Sequence, residues 1–207
     1  MPITTVLIVS KTQMSNGICV GGIDENSGEL VRIHNENGGN LKQDAPYEIG
    51  DRWYMNVERA WNARPIPHTE DKQTSPIRKI NNVGVYGIIN FINSNSHQLG
   101  NRLTQGSIRQ TFERYLNFQG TRNFINRGNI PSFSTQFWIA DKNLILNIQF
   151  EKPYYMYDNI RIKFVGLQKP VPIIPAGTII RLSLANWWNG DGSGEDRCYL
   201  QLSGWYI

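Results

Sequence analysis

The 207-residue sequence contains two cysteines, Cys19 and Cys198. That is too few for a disulfide framework or a four-thiolate zinc site. No apolar run approaches the roughly 20 residues that a membrane span needs. The apolar opening from Met1 to Val9 lacks the basic flank and small-residue cleavage site of a secretory signal. There is no P-loop, and the Gly190-Asp191-Gly192-Ser193-Gly194 stretch is not a dinucleotide fingerprint, since its Asp191 repels phosphate. No internal repeat of fixed period is visible. Disulfide-stapled, membrane-spanning and P-loop classes are thereby excluded. The expectation is a cytoplasmic protein without cofactor or membrane partner.

What is present is material for a β-rich core. The chain is 40% hydrophobic and 11% aromatic, with 19 Gly, 10 Pro and 22 Asn to punctuate short elements with turns. Thr4–Lys11, Ile18–Ile23, Glu29–His34 and Arg52–Trp61 read as strands of a first half. Gly21 and Gly22 suggest a bulge or sharp bend. The Pro65–Asp71 stretch cannot continue a ladder, because it holds two prolines. Val83–Ile92 is apolar and fits a strand or a buried helix equally. Phe133–Asp141, Leu144–Phe150, Ile160–Leu167, Ile179–Ala185 and Cys198–Tyr206 supply a second set of strands, the last two facing each other as a hairpin with a long tip. The expected fold is mainly β (α+β by content): two OB-like small barrels with a helical segment between or inserted. A sandwich fits the strand count nearly as well. The expected division is an N-terminal β domain over 1–75, a helical arginine-rich connector over 76–130 and a C-terminal β domain over 131–207.

The net charge of +4 is concentrated. Between Asn101 and Ile130 lie five arginines (Arg102, Arg109, Arg114, Arg122, Arg127), no lysine and one acid, Glu113. Phe112, Tyr115, Phe118 and Phe124 are interleaved with them, and arginine with aromatics suits phosphate contact and base stacking. Ile108, Phe112, Tyr115 and Leu116 also fall at the spacing of one buried helical stripe, with Ser107 as N-cap and Arg109–Glu113 as an i,i+4 pair. Core packing is the favoured role for those aromatics, leaving the arginines as nucleic-acid candidates.

Three segments, in order, resemble the dual OB-containing domain (DuOB) family of uncharacterised bacterial and archaeal proteins. The first is Ser10-Lys11 followed by Gly17-Ile-Cys19-Val-Gly21-Gly22-Ile23-Asp24 and Gly28-Glu-Leu-Val-Arg32. The second is Pro67-His68-Thr69-Glu70-Asp71. The third is Arg181-Leu-Ser183-Leu-Ala185-Asn-Trp187-Trp188 with Arg197-Cys198-Tyr-Leu-Gln201-Leu-Ser203-Gly204-Trp205-Tyr206. The resemblance implies two OB-like barrels and a nucleic-acid or nucleotide-binding role in a defence or mobile-element setting. It implies no catalytic mechanism.

Three functions remain open at this point. The favoured one is a non-catalytic binding module in which Arg32, Arg109, Arg114, Arg122 and Arg127 contact phosphate while Tyr54 and Trp188 stack on bases. Trp187 and Trp188 are neighbours, so on a continued strand one of them must face outward or sit at a rim. The second is a metal-dependent nuclease or phosphodiesterase using His68, Glu70 and Asp71, the one His-plus-carboxylate cluster. A structural lock after the proline turn is the preferred role of those three residues. The third is a protein-interaction module of a larger complex. Cys19, Cys198 and His34 are read as strand residues rather than a metal site.

Overall fold

Strand pairing divides the chain into two β systems with the same connectivity. In the computed structural model, which describes residues 3–59, 65–190, 192 and 194–207, the first strands are β1 (Ile3–Gln13), β2 (Ile18–Asp24), β3 (Leu30–His34), β4 (Asp51–Arg59) and β5 (Asp71–Asn82). They close a barrel in the order β1-β2-β3-β5-β4. β3 and β5 run parallel, and the other described pairs are antiparallel. This is the five-stranded Greek-key order of an OB fold. β1 serves two neighbours: Ile3–Leu7 pairs with β4 and Val6–Gln13 with β2. The register shift that lets it bend lies between Ile8 and Ser10, opposite Gly22 and Gly21. The bulge expected of the glycines is therefore on the partner strand. Gly22 is needed for another reason: a Cβ there would meet Val6 Cγ1 at 2.4 Å. Val6, Ile8, Val20, Val31, Ile33 and Met55 fill this barrel.

Two short helices follow, α1 (Gly84–Ser94) and α2 (Ser96–Leu99). Thus Val83–Ile92 resolves as helix, with Ile88 and Ile92 on its buried side. The remaining strands are β6 (Leu103–Gly106), β7 (Asn117–Gln119), β8 (Arg122–Asn126), β9 (Thr135–Ala140), β10 (Leu144–Gln149), β11 (Lys152–Tyr157), β12 (Ile160–Phe164), β13 (Ile173–Ile174), β14 (Ile179–Leu184) and β15 (Arg197–Tyr206). They form one sheet in the order β13-β10-β11-β12-β15-β14-β9-β6, with β7 pairing β8 and β8 pairing β15.

The OB order is repeated inside that sheet once β9 and β10 are taken as one strand broken at 141–143. β9 pairs with β14 and β10 with β11, as the two halves of β1 do with β4 and β2. β12 pairs with β15 in parallel, matching β3 with β5. Trp138, Tyr155, Ile162, Ile180, Leu182, Leu200 and Leu202 lie in its core. The expected OB strand order thus occurs twice, closed as a barrel in the first set of strands and carried within a larger sheet in the second.

The chain divides into one unit of residues 1–65, 69–100 and 206–207 and another of 66–68 and 101–205. Strand β5 carries the first barrel to Asn82, and the arginine-rich stretch belongs to the second unit. That stretch is not one long helix. It holds short 3-10 turns at Ile108–Gln110 and Phe112–Arg114. Thr111 between them is extended, and Phe112, Glu113 and Arg114 all have positive φ. Ser107 does cap the first turn, accepting from Arg109 N at 3.3 Å. Ile108, Phe112 and Leu116 are buried as their spacing suggests, while Tyr115 is exposed. The expected Arg109–Glu113 pair is replaced. The Glu113 carboxylate instead accepts from Ser132 N (3.0 Å) and Ser132 Oγ (2.6 Å). The expected strand end at Trp61 lies outside the described residues, as do Asp191 and Ser193 of the β14–β15 loop.

Candidate nucleic-acid interface

On β11, β12 and β15 alternation sends every second side chain inward. Tyr155, Ile160, Ile162, Phe164, Cys198, Leu200 and Leu202 go to the core. Tyr154, Arg161, Lys163, Tyr199 and Gln201 are left on the opposite face. Register places Tyr154 beside Lys163 and Lys163 beside Gln201. β8 adds Arg122 and Asn123, and the β14–β15 loop adds Ala185, Asn186 and Trp188. Together these groups, with Thr121 and Leu200, line a cavity of about 330 Å³. In OB terms it lies across strands 2, 3 and 5 and under the loop between strands 4 and 5, and so overlaps the strand 2–3 face and 4–5 loop with which such barrels take oligonucleotides.

The chemistry of the lining is one-sided. It holds three cations (Arg122, Arg161 and Lys163), three aromatic rings (Tyr154, Trp188 and Tyr199) and no carboxylate. The Arg161 guanidinium sits 4.7 Å from the Tyr154 ring centroid. Trp188 meets Tyr199 edge-on, with centroids 6.0 Å apart. Trp188 is 52% exposed. It is held at the rim by paired backbone bonds with Arg197, at 3.0 and 2.9 Å. Asn123 bridges β8 to β12, its Nδ2 donating to Arg161 O at 2.7 Å. Among the described residues its buried Oδ1 has no hydrogen-bond partner. A buried carbonyl oxygen left this way costs about 1–3 kcal/mol, which a donor group on a ligand would recover.

Of the residues singled out in the sequence, Arg122 and Trp188 meet in this cavity. Arg127 lies in the same unit but is engaged twice, stacking on the Trp187 ring at 3.8 Å and pairing with Asp196 at 2.8 Å. Trp187, the half-buried neighbour of Trp188, donates its Nε1 to Ile66 O at 3.0 Å. Arg109 covers the Phe118 ring at 4.3 Å. Arg114 is exposed in the left-handed turn. Tyr54 belongs to the first barrel, under Arg78 at 5.7 Å. Arg32 is buried on β3, its Nη1 at 3.2 Å from the Asp71 carboxylate. It is thus engaged in an internal ion pair, and every residue of β3 is buried.

The His68, Glu70 and Asp71 cluster is distributed between the two units. His68, buried in the second, has its Nε2 3.8 Å from Cys198 Sγ. Glu70 and Asp71 are buried in the first, where Asp71 faces Arg32 and also His34 Nε2 at 3.4 Å. Among the described residues no three His, Cys, Asp or Glu side chains are grouped to hold a metal ion. Cys198 is fully buried and Cys19 half-buried, both on strands.

Sequence reasoning missed Asn123, Tyr154, Arg161, Lys163 and Tyr199. The signal was present in Ile160–Phe164, where Arg161 and Lys163 alternate with three apolar residues. A cation at every second strand position, next to a tyrosine-rich strand, marks a charged face. A family model described as the dual OB-containing domain matches residues 4–205 of the chain. No curated protein and no solved structure matches it.

Proposed function

The chain belongs to the dual OB-containing domain family over nearly its whole length, and on that premise we propose that it is a non-catalytic binding module for single-stranded nucleic acid or a nucleotide. The second barrel's cavity is the site. The observation that carries this is the lining: three cations, three aromatic rings and no acid on the face that OB barrels use for oligonucleotides. Cations neutralise phosphate, and ring faces accept bases irrespective of sequence. Arg122, Arg161 and Lys163 take the phosphate role, and Trp188, Tyr199 and Tyr154 the stacking role. Arg109, Arg114 and Arg127 serve as outlying charge, and Arg32 is spent within the first barrel.

The test is an anisotropy titration of labelled single-stranded DNA and RNA at low salt, alongside calorimetry with mononucleotides. Base stacking on an aromatic side chain is worth about 1–3 kcal/mol by alanine substitution. Trp188→Ala should therefore weaken binding by about tenfold without lowering the melting temperature, since the ring is half exposed. No binding of any of these ligands by the parent protein would remove the proposal.

A further inference from the structure

The turn joining β10 to β11 is built against its own sequence. Gln149 faces Lys152 across the ladder, leaving Phe150 and Glu151 as a two-residue loop. Both loop residues have positive φ, +50° and +62°. That is type I′ geometry, in which Asn-Gly is favoured because other side chains strain the backbone. Phe150 is 94% exposed, so no burial of its ring offsets the strain. An aromatic ring held in water on a strained turn points to a contact made only with a ligand.

The neighbours of the turn identify that ligand. Gln149, the residue before Phe150, accepts a hydrogen bond from Arg161 Nη1, the same guanidinium that lies over Tyr154 in the cavity wall. The turn is thus continuous with the cavity through one hydrogen bond and one ring contact. Phe150 and Tyr154 are four residues apart along the chain, roughly 13 Å at strand rise. A single strand, at about 3.4 Å per stacked nucleotide and more when extended, crosses that distance with roughly two to four nucleotides. Lys152, exposed on the same strand, supplies a further cation on the way.

We infer that Phe150 is a stacking wedge that extends the cavity into a track, so that the ligand is a single strand of several nucleotides and not a mononucleotide. This rests on the cavity being the nucleic-acid site. Phe150 grips a base at the turn while Trp188, Tyr199 and Tyr154 hold others at the cavity. The exposed Ile145 and Ile148 of the adjoining β10 flank the turn without cations of their own.

The experiment compares the parent, Phe150→Ala and the double variant Phe150→Asn/Glu151→Gly. Each is titrated with an oligodeoxynucleotide of about 12 nucleotides, within the range that one OB fold covers, and with a mononucleotide. Both variants should lose about tenfold in oligonucleotide affinity and keep the parent's mononucleotide affinity. The double variant, carrying the residues that the turn prefers, should melt a few degrees higher than the parent while binding worse. Unchanged oligonucleotide affinity in both variants, with the parent binding normally, overturns the wedge and leaves the cavity standing. Equal losses for oligonucleotide and mononucleotide also overturn it, since Phe150 would then act on the cavity itself. A parent dimer that becomes monomeric in Phe150→Ala, with oligonucleotide affinity unchanged, assigns the turn to a protein contact and overturns it as well. Absence of any binding by the parent removes both the cavity and the wedge.

Discussion

Replacing Arg122 and Lys163 together by glutamine removes two of the three cations that line the cavity. Both side chains are exposed, so the core is untouched and the melting temperature should hold. For a single strand, log affinity falls with log salt by about 0.7 for each phosphate neutralised. Three cations in the cavity predict a slope of about −2, and the double variant a slope of about −0.7. Between about 50 and 200 mM salt the parent should lose roughly twentyfold in affinity and the variant about threefold. Anisotropy of a labelled single strand at four potassium chloride concentrations reads both slopes directly. Stacking on Trp188 and Tyr199 does not depend on these cations, so the variant should still bind at high salt. A variant that retains the parent's slope, or a parent whose affinity ignores salt, refutes the assignment of these cations to phosphate.

Two further outcomes concern the framework. Asp51 is fully buried in the first barrel. Its carboxylate accepts from Lys79 Nζ (2.6 Å), Asn82 Nδ2 (2.7 Å), Glu48 N (3.0 Å) and Trp53 Nε1 (3.3 Å). Burial alone would raise its pKa, but these donors together hold it below the ordinary 3.8. A depressed folded value contributes stability that is present above the unfolded pKa and lost as pH falls through the folded one. Urea denaturation should show stability declining as the pH drops below about 4, and Asp51→Asn should cost about 2 kcal/mol at neutral pH and flatten that decline. An unchanged acid limb in the variant would assign it to other carboxylates. Gln136, fully buried on β9, accepts from Phe112 N at 2.6 Å and donates to Thr104 Oγ1 at 2.9 Å. Gln136→Leu strands the Phe112 amide at the start of the left-handed turn. It should cost about 2 kcal/mol in denaturant unfolding, whereas a loss within error would show that the turn is held by Phe112 burial and Glu113 alone.

Among the strands legible in the sequence were those whose apolar residues are mostly β-branched and whose ends are marked by Gly or Asn. Thr4–Lys11, Ile18–Ile23 and Glu29–His34 read within a few residues of β1, β2 and β3. Two of the strands that escaped detection, β5 and β11, each contain a proline. Pro76 sits beside a register shift in the β4–β5 ladder, and Pro153 is the second residue of β11, positions where a proline is tolerated. Missing β11 also hid Tyr154 and with it one wall of the cavity. Charge density along the chain pointed to residues 101–130, yet within that stretch Arg122 alone of the arginines lines the cavity. The other two cations come from β12, far along the sequence. Linear clustering did not reveal that the guanidiniums of Arg109 and Arg127 cover aromatic rings. The burial of Arg32 was not legible, because alternation alone does not reveal the Asp71 carboxylate that the parallel β3–β5 register brings opposite it.

Chemical-shift mapping with a short single strand tests the central claim most directly. If the second barrel's cavity is the binding site, the shifts should cluster on the Asn123 side-chain amide and on the backbone amides of Lys163, Trp188 and Tyr199. The amides of β1 to β5 should stay in place. Perturbations confined to those first five strands, with the cavity amides unmoved at saturation, would contradict it.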